Sequence, residues 1–216
     1  MQPAFILPLP RSGRCSDGRR NSRSPALERD CLFEPTSRQS HHFAFASWIP
    51  YHGAGYVTRK SAIGGLGPPD IEPYGFRSNM SPSLTLCYDM RKTDLNYRLA
   101  ERLFTQLKCV QPNYLGDFYP LTPYTLANDA WLAWQYDQPE TGSGVVQAFR
   151  RPDCGTAAMT FKLYGLNPDA QYDLENLDGG KETFSGRQLT EQGLMIRLDN
   201  QPSAAVISYC RKTETP

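Results

Sequence analysis

Between residues 130 and 209 the sequence breaks into six short apolar-polar runs, at 130–136, 144–150, 158–163, 171–175, 194–198 and 204–209. Turn formers separate several of them: Pro139-Glu-Thr-Gly142, Asn167-Pro168, Asp178-Gly-Gly180 and Asn200-Gln-Pro202. A period of two sets one face of each run on a core, and no long helix is signalled between them. A stretch of this kind closes as an antiparallel β-sandwich. The one helical piece expected inside it is 186–193, ended by Gly193. Trp131 and Trp134 are three apart on one strand, so they face opposite ways and do not make a two-ring sugar platform.

Upstream of residue 118 the rhythm changes. Residues 43–50 are a short apolar run bounded by polar residues and read as a buried strand. His52-Gly-Ala-Gly55 reads as a loop, and residues 61–73, dense in glycine and proline, as a long irregular one. Residues 84–88 read as a second short strand. Leu95, Leu99, Leu103 and Leu107 then recur every fourth position with Phe104 beside them, which is one stripe of a helix. Asp94 is its expected N-cap, Lys108 suits its last turn, and Pro112 stops it. Strand, loop, strand, helix is the cadence of an α/β fold.

Bulk properties exclude several classes. A net charge of +1 over 216 residues lacks the basic footprint of a general nucleic-acid binder. No run approaches the ~18 apolar residues of a membrane span. A complete (β/α)8 barrel takes about 250 residues, so a barrel plus a second domain does not fit. Cys15, Cys31, Cys87, Cys109, Cys154 and Cys210 form no C-x-x-C pair and are expected as reduced thiols in a cytoplasmic protein. The apolar start is short, broken by Pro8 and followed rather than preceded by arginines, unlike a signal peptide. Residues 11–25, rich in Arg, Ser and Gly, are expected to be disordered. Residues 1–25 read as unrelated to the folded unit, from a wrong start site or a broken upstream frame.

The residues then carry a family signal. Tyr119-Pro-Leu-Thr-Pro-Tyr124, Asp129-Ala-Trp-Leu-Ala-Trp-Gln-Tyr136 and Gly144-Val-Val-Gln-Ala-Phe-Arg-Arg-Pro152 resemble the entry into the C-terminal β-domain of glycoside hydrolase family 36. So do Lys162-Leu-Tyr-Gly-Leu-Asn-Pro-Asp169, Asn176-Leu-Asp-Gly-Gly180, Phe184-Ser-Gly-Arg187 and Ala205-Val-Ile-Ser-Tyr209 further on. Upstream, Phe33-Glu-Pro-Thr36, Gln39, Trp48-Ile-Pro-Tyr51 and Phe76-Arg-Ser-Asn-Met-Ser-Pro-Ser83 resemble the closing part of the same family's catalytic barrel. The resemblance spans about residues 26–210. It implies an α+β multidomain fold, an incomplete (β/α)8 barrel remnant at 26–117 followed by an antiparallel β-sandwich at 118–216. The implied parent activity is retaining hydrolysis of terminal α-galactosides, with no cofactor.

Retaining hydrolysis needs two carboxylates about 5–5.5 Å apart, a nucleophile and an acid/base. No segment here resembles the family's nucleophile strand. Lys92-Thr93-Asp94 spells K-x-D but stands at a helix start, so the chain is expected to be inactive alone. Asp30 falls where the resemblance places the acid/base; the plainer reading is a surface aspartate, since Arg29 replaces the expected small residue. Trp48 and Arg77 each lie at the end of an expected barrel strand, where βα-loops build active sites. Trp48 would stack on a sugar or pack in the core; Arg77 would bind a sugar hydroxyl or form an ion pair.

His41, His42 and His52 with Cys31 do not read as a metal site, because neighbouring histidines on a strand point to opposite faces. Gly64-Gly-Leu-Gly67 lacks the strand-then-helix setting of a phosphate loop. The expected partners are an α-galactoside oligosaccharide in the parent enzyme and the missing barrel half or a second copy. Neither nucleic acid nor membrane is expected. The alternative is a stand-alone β-sandwich that binds sugar or protein. Of the two expected units, 118–216 would fold by itself and 26–117 would pack poorly.

Overall fold

The computed structural model describes residues 34–49, 51–59, 68–89 and 91–213. Expectations for Asp30, Cys15, Cys31, residues 1–25 and Gly64 to Gly67 fall outside these residues. The first half is α1 (Pro35–Ala46), β1 (Gly53–Tyr56), α2 (Pro73–Ser78), β2 (Ser83–Leu86) and α3 (Tyr97–Val110), tightening into a 3-10 turn at Gln111–Leu115. β1 and β2 lie parallel, Gly53 opposite Ser83 and Tyr56 opposite Leu86. Eight strands follow: β3 (Asp117–Pro120), β4 (Trp131–Gln138), β5 (Ser143–Arg150), β6 (Ala158–Phe161), β7 (Gln171–Asn176), β8 (Lys181–Ser185), β9 (Leu194–Arg197) and β10 (Ser203–Arg211).

Six of these form one sheet in the order β3-β4-β5-β10-β7-β8, every neighbour antiparallel. β6 and β9 pair antiparallel as a second, small sheet. The large sheet is the middle layer. On one face Trp131, Ala133, Val146, Ala148, Ala205 and Ile207 pack with Phe161, Leu194 and Ile196 of the small sheet and with Leu189. On the other, Leu132, Trp134, Val145, Phe149 and Val206 share a core with Phe43 of α1, Tyr56 of β1, Phe76 of α2 and Leu103 of α3. Trp131 and Trp134 thus serve opposite cores, exposed only 5% and 2%. β4 and β5 are buried along nearly their whole length because both their faces are covered.

Several expectations need correction. Residues 43–46 close a helix, not a strand. α1 starts on Pro35, whose missing N–H costs nothing in the first turn. It buries Thr36, Gln39, Ser40, His42, Phe43 and Ala46. Four of those six are polar, so no apolar stripe showed in the sequence. Residues 53–56 are a strand rather than a loop. α3 is capped by Asn96, whose side chain accepts from the Leu99 N–H at 3.1 Å. Asp94 lies exposed in the turn before it.

β3 and β8 went unread because they are the sheet's two edges: one short and ending in proline, the other charged, as edge strands tend to be. The 186–193 segment does coil, as a π turn at Gln188–Gln192 ended by Gly193 with φ +91°. Nor do the two halves stand apart, since one core runs through both.

Candidate functional site

Parallel α/β layers carry their chemistry past the C-terminal ends of the strands. Here those ends are Val57 and Thr58 after β1, and Cys87, Tyr88 and Asp89 after β2. Tyr56 and Tyr88 meet edge to face, ring centres 5.8 Å apart. The Tyr56 hydroxyl accepts from the Glu72 N–H at 3.1 Å and donates to the Glu72 carbonyl at 3.3 Å. The Tyr88 hydroxyl is buried with no partner among the described residues. Burial pushes both phenols well above their ordinary range.

Three acids border this end. Glu72 caps α2, its two carboxylate oxygens accepting from the Tyr74 and Gly75 N–H groups. Burial nonetheless raises it above the usual range, outweighing those two bonds. Asp70 accepts from the Ile71 N–H at 2.7 Å. Asp89 takes both Nε and Nη2 of Arg91, at 2.8 and 3.0 Å, and these bonds hold it down to about 2. Each acid therefore has a local structural partner.

Arg77 lies behind this end, on α2, and is 2% exposed. Its Nη1 donates to Asp178 Oδ2 at 2.6 Å and to the Ala204 carbonyl at 2.8 Å. Its Nη2 donates to Asp178 Oδ1 at 2.5 Å and to Gln106 Oε1 at 3.0 Å. Gln106, on α3, in turn donates to the Leu177 carbonyl at 2.7 Å. Asp178 sits in the β7–β8 turn, where Gly179 and Gly180 take positive φ. The guanidinium holds its carboxyl below the ordinary range. Arg77 thus joins α2, α3 and the large sheet through a forked pair, a geometry lysine cannot copy.

A second arginine does the same for α1. Arg151, at 0% exposure, has all five N–H groups engaged. Nε donates to Gln39 Oε1; Nη1 to the Thr125 and Ala127 carbonyls; Nη2 to Ser40 Oγ and the Thr36 carbonyl. Burial lowers it from its usual value, but arginine remains a cation throughout the physiological range.

Trp48 follows α1 and precedes β1, on a turn where its N–H donates to the Phe45 carbonyl at 3.1 Å; it is 75% exposed. It leaves a helix end rather than a strand end, because the run that suggested a strand is helical. Nearby, His52 Nε2 lies 3.0 Å from His42 Nδ1, and His52 Nδ1 lies 3.3 Å from the Ile49 carbonyl. Burial lowers both imidazoles below the ordinary value. His41, the next residue on α1, is exposed. No group of three or more His, Cys, Asp or Glu is poised for a metal among the described residues.

Sequence reasoning named Arg77 but not Asp178, Gln106 or Arg151. The available signal was the Arg150-Arg151 pair closing an otherwise apolar strand, since charges placed there must be buried and satisfied.

Comparison with solved structures places this geometry. An α-galactosidase from Lactobacillus brevis matches with a TM-score of 0.66 at 15% identity, over 85% of this chain and 26% of its own. The family 36 α-galactosidase AgaA from Geobacillus stearothermophilus, in a variant bound to stachyose, matches with a TM-score of 0.67 at 16% identity, over 83% and 25%. A variant of the same enzyme bound to raffinose gives 0.63 at 14%, again over 83% and 25%. The chain spans about a quarter of the length of these enzymes. None of the curated proteins matches the sequence. Residues 131–209 match the glycosyl hydrolase family 36 C-terminal domain. In sequence over those residues the chain is similar to the family 36 C-terminal domain, and in fold over most of its length it is similar to part of these α-galactosidases.

Proposed function

We propose that this chain is the C-terminal part of an α-galactosidase-like glycoside hydrolase, in which the β-sandwich of residues 118–216 braces the end of a catalytic (β/α)8 barrel in residues 26–117. The observation that carries this is the extent of the fold match. It covers 83–85% of the chain, whereas the sandwich is less than half of it. The matched part therefore extends well upstream of residue 118. A parallel strand pair crossed by a helix is also the repeating unit of such a barrel.

The parent substrate class in this reading is an oligosaccharide with a terminal α-galactosyl unit, the kind the AgaA variants hold as raffinose and stachyose. The chain by itself does not cleave it. Retaining cleavage needs two opposed carboxylates, and Glu72 and Asp89 are occupied as a helix cap and an arginine partner. Asp30 remains the proposed acid/base, outside the described residues. Trp48 remains a proposed sugar contact through its free ring. Arg77 has both terminal nitrogens held by protein and would act on the sugar end only through the position of α2. The setting proposed is cytoplasmic; no helix among the described residues is long and apolar enough to cross a membrane.

Calorimetric titration with raffinose separates this role from that of a sugar-binding module. Bracing gives no heat at millimolar sugar. A saturable signal from the purified chain would put the binding module in its place.

A further inference from the structure

We propose that Asp178-Gly179 is a latent site of backbone isomerisation, kept dormant by Arg77 and opened when α2 leaves the large sheet. An aspartate followed by glycine can react with its own main chain. A bond forms between the Gly179 amide nitrogen and Asp178 Cγ, and the carboxyl hydroxyl leaves with the amide proton as water. Water then opens the resulting imide on either side. Cleavage at Cγ restores aspartate. Cleavage at the Asp178 main-chain carbonyl leaves isoaspartate, whose backbone runs through Cβ and Cγ and is one carbon longer.

The sequence favours this step at the β7–β8 turn. Gly179 carries no side chain to hinder the approach, and nothing lies within 4 Å of where its Cβ would stand. Asp178, Gly179 and Gly180 are all exposed, so the water that opens the imide has access.

The fold opposes it on both reacting groups. Arg77 Nη1 and Nη2 hold the two Asp178 carboxylate oxygens at 2.6 and 2.5 Å. Ring closure draws on the neutral carboxyl, and the Arg77 hydrogen bonds favour the ionised one, outweighing its burial. The Gly179 N–H is engaged as well, donating to the Asn176 carbonyl at 2.8 Å. Asn176 Oδ1 accepts from the Asp178 N–H at 3.0 Å, and the Asn176 N–H donates to the Gly180 carbonyl at 3.1 Å. Closure requires the two reacting atoms to be brought together in line, and each is held by another partner.

Arg77 is what links this chemistry to the rest of the fold. It is buried, and the Ala204 carbonyl and Gln106 Oε1 fix the same two nitrogens. The guanidinium therefore cannot follow Asp178; the carboxylate must leave it to turn toward Gly179. Arg77 belongs to α2, whereas Asn176 belongs to β7. Departure of α2 frees the carboxylate while the β7–β8 hairpin keeps its own bonds. Isoaspartate then carries its carboxylate on Cα in a lengthened turn, and the forked pair does not re-form. Residue 178 thus keeps a covalent record of the loss of α2. This inference does not depend on the glycosidase reading.

The test is to incubate the full chain near neutral pH, folded and in urea, and to count isoaspartate at residue 178 by peptide mapping with electron-transfer fragmentation. The folded chain is expected to form it at least about tenfold more slowly, the effect of one unit in carboxyl protonation. Arg77→Met is expected to remove most of that difference while near-ultraviolet circular dichroism is kept. Equal rates in the folded and unfolded chain, or a folded Arg77→Met no faster than the parent, overturn the proposal. Should Arg77→Met unfold, the unmodified chain in sub-denaturing urea decides, through local opening read by amide exchange. An isomerisation rate that rises with exchange of residues 74–78 supports the proposal; a rate indifferent to that exchange overturns it.

Discussion

Arg151 is the residue on which α1 depends. Without its guanidinium the Thr125 and Ala127 carbonyls and the Gln39 and Ser40 side chains lose a common donor inside the core. Buried acceptors left unpaired are expensive, so Arg151→Met is expected to lower stability by about 3 kcal/mol or more, read from urea denaturation. Arg151→Lys should recover only part of this, because an ammonium cannot span five acceptors.

The His42–His52 pair sets a pH dependence whose sign is fixed. In the folded chain both imidazoles titrate below their unfolded value, so on acidification the unfolded state takes up protons first. Their contribution is present above about pH 6.5 and is lost as pH falls through the lowered folded values. His42→Asn, compared with the parent by thermal melts between neutral and mildly acid pH, is expected to flatten this slope.

Asp137 acts in the opposite sense. It is buried, it accepts the Tyr209 hydroxyl at 2.6 Å, and its Oδ2 has no partner among the described residues. Burial raises it, so the folded state holds its proton longer than the unfolded one does. Its contribution is present below the unfolded value of about 3.9 and is lost as pH rises through the raised folded value. Asp137→Asn keeps an acceptor for Tyr209 and is expected to leave stability at neutral pH equal or higher. None of these roles was visible in sequence. A histidine pair ten residues apart, or an arginine satisfied only by neutral acceptors, is created by the fold and has no local pattern.

At the scale of elements, what was legible followed burial. β4, β5 and β10 lie inside the large sheet with mostly apolar buried positions, Gln135, Asp137, Gln147 and Arg150 apart, and their sequences announced them. The Leu-striped helix was equally plain, and Leu103 and Leu107 are its core contacts. α1 was lost because it buries Gln39, Ser40 and His42 where an apolar stripe would be. Packing makes the halves interdependent. Leu132, Trp134, Phe149 and Val206 of the sheet share their core with the N-terminal layer. A fragment of residues 118–216 would expose that face, so it is expected to aggregate rather than to fold alone. Leu103→Ala should cost about 3 kcal/mol and shift the melting of both halves together. Far-ultraviolet dichroism and tryptophan fluorescence are expected to report one transition; two separate midpoints would show independent units.

For the whole molecule, the layered architecture explains why a strand pair of four residues each is held at all. The large sheet provides a rigid floor, Arg77 and Arg151 fasten α2 and α1 to it, and β1 and β2 rest on the far side of the helices' core. The order of the two parts was readable from the change of period near residue 117. The shared core was not, because contacts between distant segments leave no trace in local alternation. Glu72 and Asp89 serve as a helix cap and an arginine partner, and that is the reason for expecting no catalysis from this chain alone. The direct measurement is release of nitrophenol from 4-nitrophenyl α-galactoside by the purified full-length chain, run beside Asp30→Asn. The account expects both to match the enzyme-free blank; turnover by the unmodified chain that disappears in Asp30→Asn would contradict it.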